Sequence, residues 1–206
     1  MRRIGHRGAM GHAPENTIAS LQKALDLACD EVETDVWLTQ DGRLLVSHDR
    51  PTAKTQLSLD EVLDFCRGRL GVNVEVKCEK DEARARETGA AVATRLASRG
   101  RADVYLSSFW WSALEGARTA APNVRRAFVY SDSPDRTALL ASAKAQGLWA
   151  LHPERMYVTQ ELIKAAHAAS LRVNAWTVND AKEITTFRNW SVDGIMSDFP
   201  ERIPKD

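Results

Sequence analysis

Eight short runs rich in Val, Ile and Leu recur along the chain, separated by segments of helical periodicity, and no Pro/Gly/Ser-rich linker interrupts the series. The strand candidates are Arg3 to His6, Glu31 to Trp37, Val72 to Lys77, Val104 to Ser107, Arg125 to Val129, Trp149 to Leu151, Arg172 to Trp176 and Gly194 to Met196. Among the intervening segments, Thr17 to Cys29 carries Ile18, Leu21, Leu25 and Ala28 on one stripe, and Glu82 to Ala97 carries Ala85, Ala91, Val92 and Leu96. Such alternation implies a parallel sheet, because parallel strands need a crossover that a helix supplies. Eight units in 206 residues sit at the lower size limit of an α/β (β/α)8 TIM barrel, with an open doubly wound sheet as the competing arrangement. One domain over residues 1–206 accommodates the series.

A ninth run, Leu44 to His48, breaks the alternation and reads as a small extra hairpin strand after strand 2. Asp41-Gly42 is a type I′ turn signal, since both central positions of that turn need positive φ. A two-residue loop there pairs positions whose numbers sum to 83, which sets His48 opposite Asp35. Period two then puts Glu33 on the same face.

Glu33 and Asp35 alternate with Val32, Thr34 and Val36, so both carboxylates point the same way. Like charges on adjacent same-face positions repel unless something positive lies between them. The second strand of this kind alternates Asn73, Glu75 and Lys77 with Val72, Val74 and Val76. A parallel strand covered on both faces should be nearly all apolar, so one polar face is an anomaly. In a barrel it points inward, near the strand ends where such folds place their chemistry. Taken singly, Glu33 and Asp35 also fit a solvated strand face, and Glu75 with Lys77 a buried ion pair. Together, three inward carboxylates suit a hard divalent cation, Mg²⁺ or Ca²⁺, which prefers oxygen ligands.

His6 ends the first strand and precedes Arg7-Gly8; His48 ends the extra strand and precedes Asp49. Imidazole is the side chain suited to both giving and taking a proton near neutral pH, so of such a pair one can remove a proton while the other supplies one. Arg7 and Lys77 add positive charge for an anion, and Arg offers the fork that phosphate prefers. Pro14-Glu15-Asn16-Thr17 opens the first helix with Asn16 or Thr17 as N-cap, and Trp176 ends the seventh strand as either a pocket wall or a core residue. His12, His152 and His167 carry no signal beyond surface or structural roles.

Lys plus Arg number 28 and Asp plus Glu number 28, so no long-range field draws nucleic acid or an acidic membrane, and any anion must be held locally. Cys29, Cys66 and Cys78 show no C-x-x-C spacing and read as reduced structural thiols. The chain opens without a secretory signal and contains no run of about 20 apolar residues, which sets a cytoplasmic location as the expectation.

The ordered set His6-Arg7-Gly8, Pro14-Glu15-Asn16-Thr17, Glu33-Thr34-Asp35-Val36, Asp41-Gly42, His48-Asp49, Glu75-Val76-Lys77, Ser107-Ser108-Phe109, Trp176-Thr177-Val178-Asn179, Asp193-Gly194-Ile195 and Asp198-Phe199-Pro200 resembles the glycerophosphodiester phosphodiesterase family. The resemblance implies a TIM barrel that splits glycerophosphodiesters into glycerol 3-phosphate and an alcohol with one divalent cation, Mg²⁺ or Ca²⁺, with Mn²⁺ as a further candidate. It puts the metal carboxylates on Glu33, Asp35 and Glu75 and the acid/base pair on His6 and His48. Arg7 and Lys77 fall on phosphate and substrate contacts, and Trp176 on a pocket wall. It further implies attack by the glycerol 2-hydroxyl, giving a cyclic phosphate that water opens.

The chain departs from the family pattern after His48-Asp49. Only Arg50-Pro51-Thr52-Ala53-Lys54-Thr55-Gln56 precedes the helix near Ser58, where many members carry a longer covering segment. An open cleft follows, with choline, ethanolamine, a lyso-lipid chain or an artificial ester as the leaving group. Two other readings compete: a Schiff-base aldolase with Lys77 as nucleophile, and a barrel that binds metal or phosphoester without turnover.

Overall fold

The computed structural model describes residues 1–79 and 81–205. Its strands are β1 (Arg2–Gly5), β2 (Glu31–Leu38), β3 (Leu44–Val46), β4 (Gly71–Lys77), β5 (Val104–Ser108), β6 (Arg126–Tyr130), β7 (Ala150–Pro153), β8 (Arg172–Ala175) and β9 (Gly194–Ser197). The helices are α1 (Ile18–Asp26), α2 (Leu59–Cys66), α3 (Glu82–Ser98), α4 (Trp111–Ala120), α5 (Arg136–Ala145), α6 (Gln160–Ala168) and α7 (Ala181–Asn189). Ladder order β1-β9-β8-β7-β6-β5-β4-β2, with β1 also paired to β2, closes a ring of eight parallel strands. The open-sheet alternative is therefore excluded, and the architecture is a (β/α)8 barrel. A 3-10 turn, Pro200–Arg202, stands where an eighth helix would follow β9.

The period-two alternation of apolar and polar residues along the strands explains the layering. Val32, Val36, Val72, Val74, Val76, Leu106, Leu151, Val173 and Ile195 point outward and are essentially inaccessible, packed under the helices. Full burial of each contributes about 1.5–3 kcal/mol. The inward faces hold Glu31, Glu33, Asp35, Asn73, Ser107, His152 and Asn174, all buried. Helix starts are set by side chains: Thr17 and Ser58 form reciprocal capping boxes with Ser20 and Glu61, and Asp81 accepts from Ala83 N and Arg84 N.

The hairpin register differs from the sequence expectation. β3 runs antiparallel to β2 with Val36 opposite Val46, Trp37 opposite Leu45 and Leu38 opposite Leu44, so paired numbers sum to 82. Only Gly42 has positive φ, at 80°, and Thr39 N bonds Arg43 O at 2.9 Å. The connection is thus a three-residue loop with glycine in the left-handed position, not a type I′ turn. Ser47, whose N bonds Asp35 O, takes the place expected for His48. β3 ends at Val46, and the chain beyond it carries His48 back toward β2.

Candidate active site

The carboxyl ends of β1, β2, β4 and β9 assemble the polar cluster. Glu33, Asp35 and Glu75 each offer a carboxylate oxygen, and these oxygens lie within 4.8 Å of one another. The parallel register makes this unavoidable, because Asp35 stands beside Glu75 and Glu33 beside Asn73.

The loop after β1 wraps the cluster through two successive left-handed residues, Arg7 (φ 49°) and Gly8 (φ 85°). A Cβ on Gly8 would overlap Ser20, so the turn demands glycine on space as well as conformation. The turn aims Arg7 N at Glu33 Oε2 (2.9 Å) and Gly8 N at Glu33 O (3.3 Å). The Arg7 guanidinium reaches Asp35 Oδ2 at 3.2 Å and Glu15 Oε2 at 2.7 Å. Asn16, also left-handed, donates to Asp35 Oδ2 at 2.9 Å and accepts from Thr34 Oγ1 and Asp35 N. Lys77 Nζ lies 3.1 Å from Glu75 Oε1 and 3.6 Å from Asp35 Oδ1.

The two imidazoles flank the carboxylates. His6 Nδ1 is 2.7 Å from Asp198 Oδ1, and its Nε2 is 3.9 Å from Glu33 Oε2. Asp198 is itself held by Asn179 Nδ2 at 2.7 Å. His48 Nδ1 is 3.4 Å from Asp35 Oδ2, and its Nε2 is 3.5 Å from Arg7 Nη2.

Charge is unevenly shared. Burial, then Asp35 and Glu75, push the Glu33 carboxyl well above its ordinary range. Burial also raises Glu75 despite Lys77. For Asp35, the same burial is outweighed by His48, Lys77, Arg7 and Asn16, and its carboxyl is held low. Three facing carboxylates with one buried oxygen, Glu33 Oε1, lacking a hydrogen-bond partner form a donor set that fits a hard divalent cation. Lys77 is raised, since Glu75 and Asp35 outweigh its burial, so it stays an ammonium; a Schiff-base nucleophile needs the opposite shift.

The model of the glycerophosphoryl diester phosphodiesterase family matches residues 6–70 and 52–202. The chain belongs to this family of phosphoric diester hydrolases. Similar proteins include a glycerophosphodiester phosphodiesterase of Bacillus altitudinis, 29% identical with 98% of this chain and 96% of that protein covered. One from Caldanaerobacter subterraneus is 26% identical with 97% and 95% covered. Among solved structures, an Oleispira antarctica phosphodiesterase in complex with the product sn-glycerol-3-phosphate superposes with a TM-score of 0.87, at 27% identity and 98% and 95% coverage.

Of the residues singled out from sequence, His6, Arg7, Glu33, Asp35, His48, Glu75 and Lys77 lie together in this phosphodiesterase-family barrel. For Trp176 the contacts are with neighbouring strand ends: its Nε1 donates to His152 O, and its ring meets Phe109 edge-to-face at 5.6 Å. His12 pairs with Glu201 at the surface. Asp198 and Asn179 join the site without a role read from sequence, and so does Asn16, which the sequence offers only as a candidate N-cap, a place that Thr17 takes. Beside Lys77, a cavity of about 680 Å³ opens between the β2–β3 hairpin and the β4–α3 connection, lined by Trp37, Thr39, Arg50, Glu79 and Arg84. No helix among the described residues is long and apolar enough to cross a membrane.

Proposed function

We propose that this protein hydrolyses glycerophosphodiesters to glycerol 3-phosphate and a free alcohol by metal-dependent His/His acid-base catalysis. The observation that carries the reading is the grouping of Glu33, Asp35 and Glu75 between the imidazoles of His6 and His48. The product found on the Oleispira antarctica neighbour supports glycerol 3-phosphate as the product here.

Glu33, Asp35 and Glu75 would hold one divalent cation, Mg²⁺, Ca²⁺ or Mn²⁺, which supplies Lewis-acid polarisation of a phosphoryl oxygen and acidifies an adjacent hydroxyl. Arg7 and Lys77 stabilise the negative charge that grows on phosphorus, the first by its forked guanidinium and the second as a point charge. Arg7 is prepared for this because Asp35, Glu15 and Glu33 outweigh its burial and keep it charged. Asp198 accepts from Nδ1–H of His6 and so presents Nε2 to the site. One imidazole takes the proton of the glycerol 2-hydroxyl as it attacks phosphorus, and the other protonates the leaving alkoxide. Water then opens the cyclic phosphate with the two roles reversed. Trp176 walls the pocket at its rim.

Release of choline from glycerophosphocholine tests the reading. Turnover that disappears with chelator and in the His6→Ala and His48→Ala variants is expected; metal binding without turnover of any diester would leave a binding barrel instead.

A further inference from the structure

Asn16, Asn73 and Asn174 are the asparagines buried among the described residues, and two of them have partners. Asn16 donates to Asp35 Oδ2 at 2.9 Å, and Asn174 Nδ2 lies 3.1 Å from His152 Nε2. Asn73 is wholly inaccessible on the inward face of β4, and neither its Nδ2 nor its Oδ1 has a hydrogen-bond partner among the described residues. Taking an amide out of water without returning a hydrogen bond opposes folding, so a buried asparagine in this condition requires a reason.

The strand register supplies one. β2 and β4 set Glu33 directly beside Asn73, and β4 and β5 set Tyr105 on its other side. Neighbouring strands stand about 4.8 Å apart, whereas residues two apart along one strand are about 6.6 Å apart, so Glu33 is nearer to Asn73 than Glu75 is. Tyr105 is committed elsewhere: its ring stands edge-on to Trp149 and His152, with centroids 4.8 and 6.0 Å away, and its hydroxyl faces Glu31.

The three carboxylates of the cluster are unequally supported. Asp35 accepts from Asn16 Nδ2 and lies 3.2 Å from the Arg7 guanidinium, and Glu75 accepts from Lys77 Nζ at 3.1 Å. Glu33 accepts from the Arg7 backbone N–H on Oε2, while its Oε1 is buried and unpartnered. An unused donor thus stands beside an unused acceptor. Turning the Asn73 amide about its last torsion, which is broad in asparagine, aims Nδ2 at Glu33.

We infer that Asn73 is a positioning residue for Glu33: its amide donates to Glu33 Oε1 from the barrel lumen, opposite the Arg7 N–H on Oε2, and fixes the carboxylate for the cation. The inference rests on the proposed cation site and on no step of hydrolysis. Groups that hydrogen-bond a ligating side chain set about 10- to 100-fold in metal affinity.

Asn73→Val and Asn73→Thr place nearly the same shape in the lumen and differ by one hydroxyl donor, so the pair separates donation from packing. Isothermal titration of the metal-stripped proteins with Mn²⁺ is read beside their Tm without metal. The expected result is a Kd raised about tenfold or more in Asn73→Val and kept within about threefold of the parent in Asn73→Thr. The Tm of metal-stripped Asn73→Val should not fall, because an unpartnered amide gives way to an apolar side chain. Equal weakening in the two variants, or none in either, overturns the inference. An Asn73→Val protein that loses Tm or does not fold also overturns it, by making Asn73 a structural residue. A parent that binds none of Mn²⁺, Mg²⁺ and Ca²⁺ brings down the cation site, and this inference with it. A parent that shows the contrast between Val and Thr but releases no choline from glycerophosphocholine fails the hydrolysis reading alone.

Discussion

Asp198 Oδ1 lies 2.7 Å from His6 Nδ1, a contact that joins residues 192 positions apart across the closure of the barrel. His6 and His48, by contrast, reach the cluster from β1 and from the segment after β3, so each imidazole has its own anchor.

The Asp198 contact predicts a tautomer defect. Asn179 Oδ1 accepts from Ser197 Oγ and Asp198 N, which fixes Asn179 Nδ2 as the donor to Asp198 Oδ2. In Asp198→Asn the amide oxygen must face Asn179, and the amide NH₂ then faces His6. Nδ1 becomes an acceptor, the ring proton moves to Nε2, and His6 can no longer take a proton there. We expect kcat to fall by about 10²-fold with KM nearly unchanged, measured as choline release. A drop confined to KM would show that Asp198 binds substrate instead.

The proposed sharing of acid-base duty between His6 and His48 requires that each imidazole matter alone. His6→Ala and His48→Ala are expected to lower kcat by about 10²- to 10⁴-fold, while isothermal titration with Mn²⁺ changes little. Near-normal turnover in both variants contradicts the assignment.

The carboxylate cluster is costly without a counter-cation. Burial together with Asp35 and Glu75 raises Glu33 above its ordinary value. A carboxyl raised in the fold subtracts stability as pH climbs past its unfolded value, because the fold holds the proton that the unfolded chain releases. Glu33→Gln should therefore raise the Tm of the metal-free protein at pH 8 and weaken divalent binding. For the parent, a cation at 100 times its Kd should add about 2.7 kcal/mol, read as a Tm increase in calorimetry. A Tm indifferent to Mg²⁺, Ca²⁺ and Mn²⁺ counts against the ligand set.

His152 gives the opposite pH dependence. It is fully buried inside the barrel with Asn174 Nδ2 3.1 Å from its Nε2, and burial lowers its pKa to about 3. The unfolded chain takes up this proton near pH 6.5 and the folded one does not, so the stability present above 6.5 is lost as pH falls toward 3. Between pH 6 and 4 this group alone removes about 1.4 kcal/mol per pH unit. His152→Gln keeps an acceptor for Asn174 and does not titrate, so urea unfolding should show a shallower acid slope. Parallel slopes in the two proteins would place the acid lability elsewhere.

Much of this was legible in the residues, for identifiable reasons. Alternation of valines with polar residues in β2 and β4 marks an inward polar face, because a parallel strand under helices has no other cause to carry one. The expected strands lie within about two residues of those found, since short apolar runs leave little room to slide. The hairpin register was misread because Asp41-Gly42 serves equally well in a three-residue loop, where Gly42 alone needs positive φ. His48 still reaches Asp35, as β3 is too short to carry the one-residue shift to its side chain. Asn16 and Asp198 were hidden differently. One reads as a helix start and the other as a loop residue, and their meeting with Asp35 and His6 exists only once β1 lies between β2 and β9.

The central claim is that Glu33, Asp35 and Glu75 hold the cation on which phosphodiester cleavage depends. Glycerophosphocholine hydrolysis, measured after EDTA treatment and gel filtration and then with single cations restored, tests it most directly. The account predicts no turnover in the stripped protein and recovery with at least one of Mg²⁺, Ca²⁺ or Mn²⁺. Undiminished hydrolysis by protein shown by elemental analysis to be metal-free would contradict it.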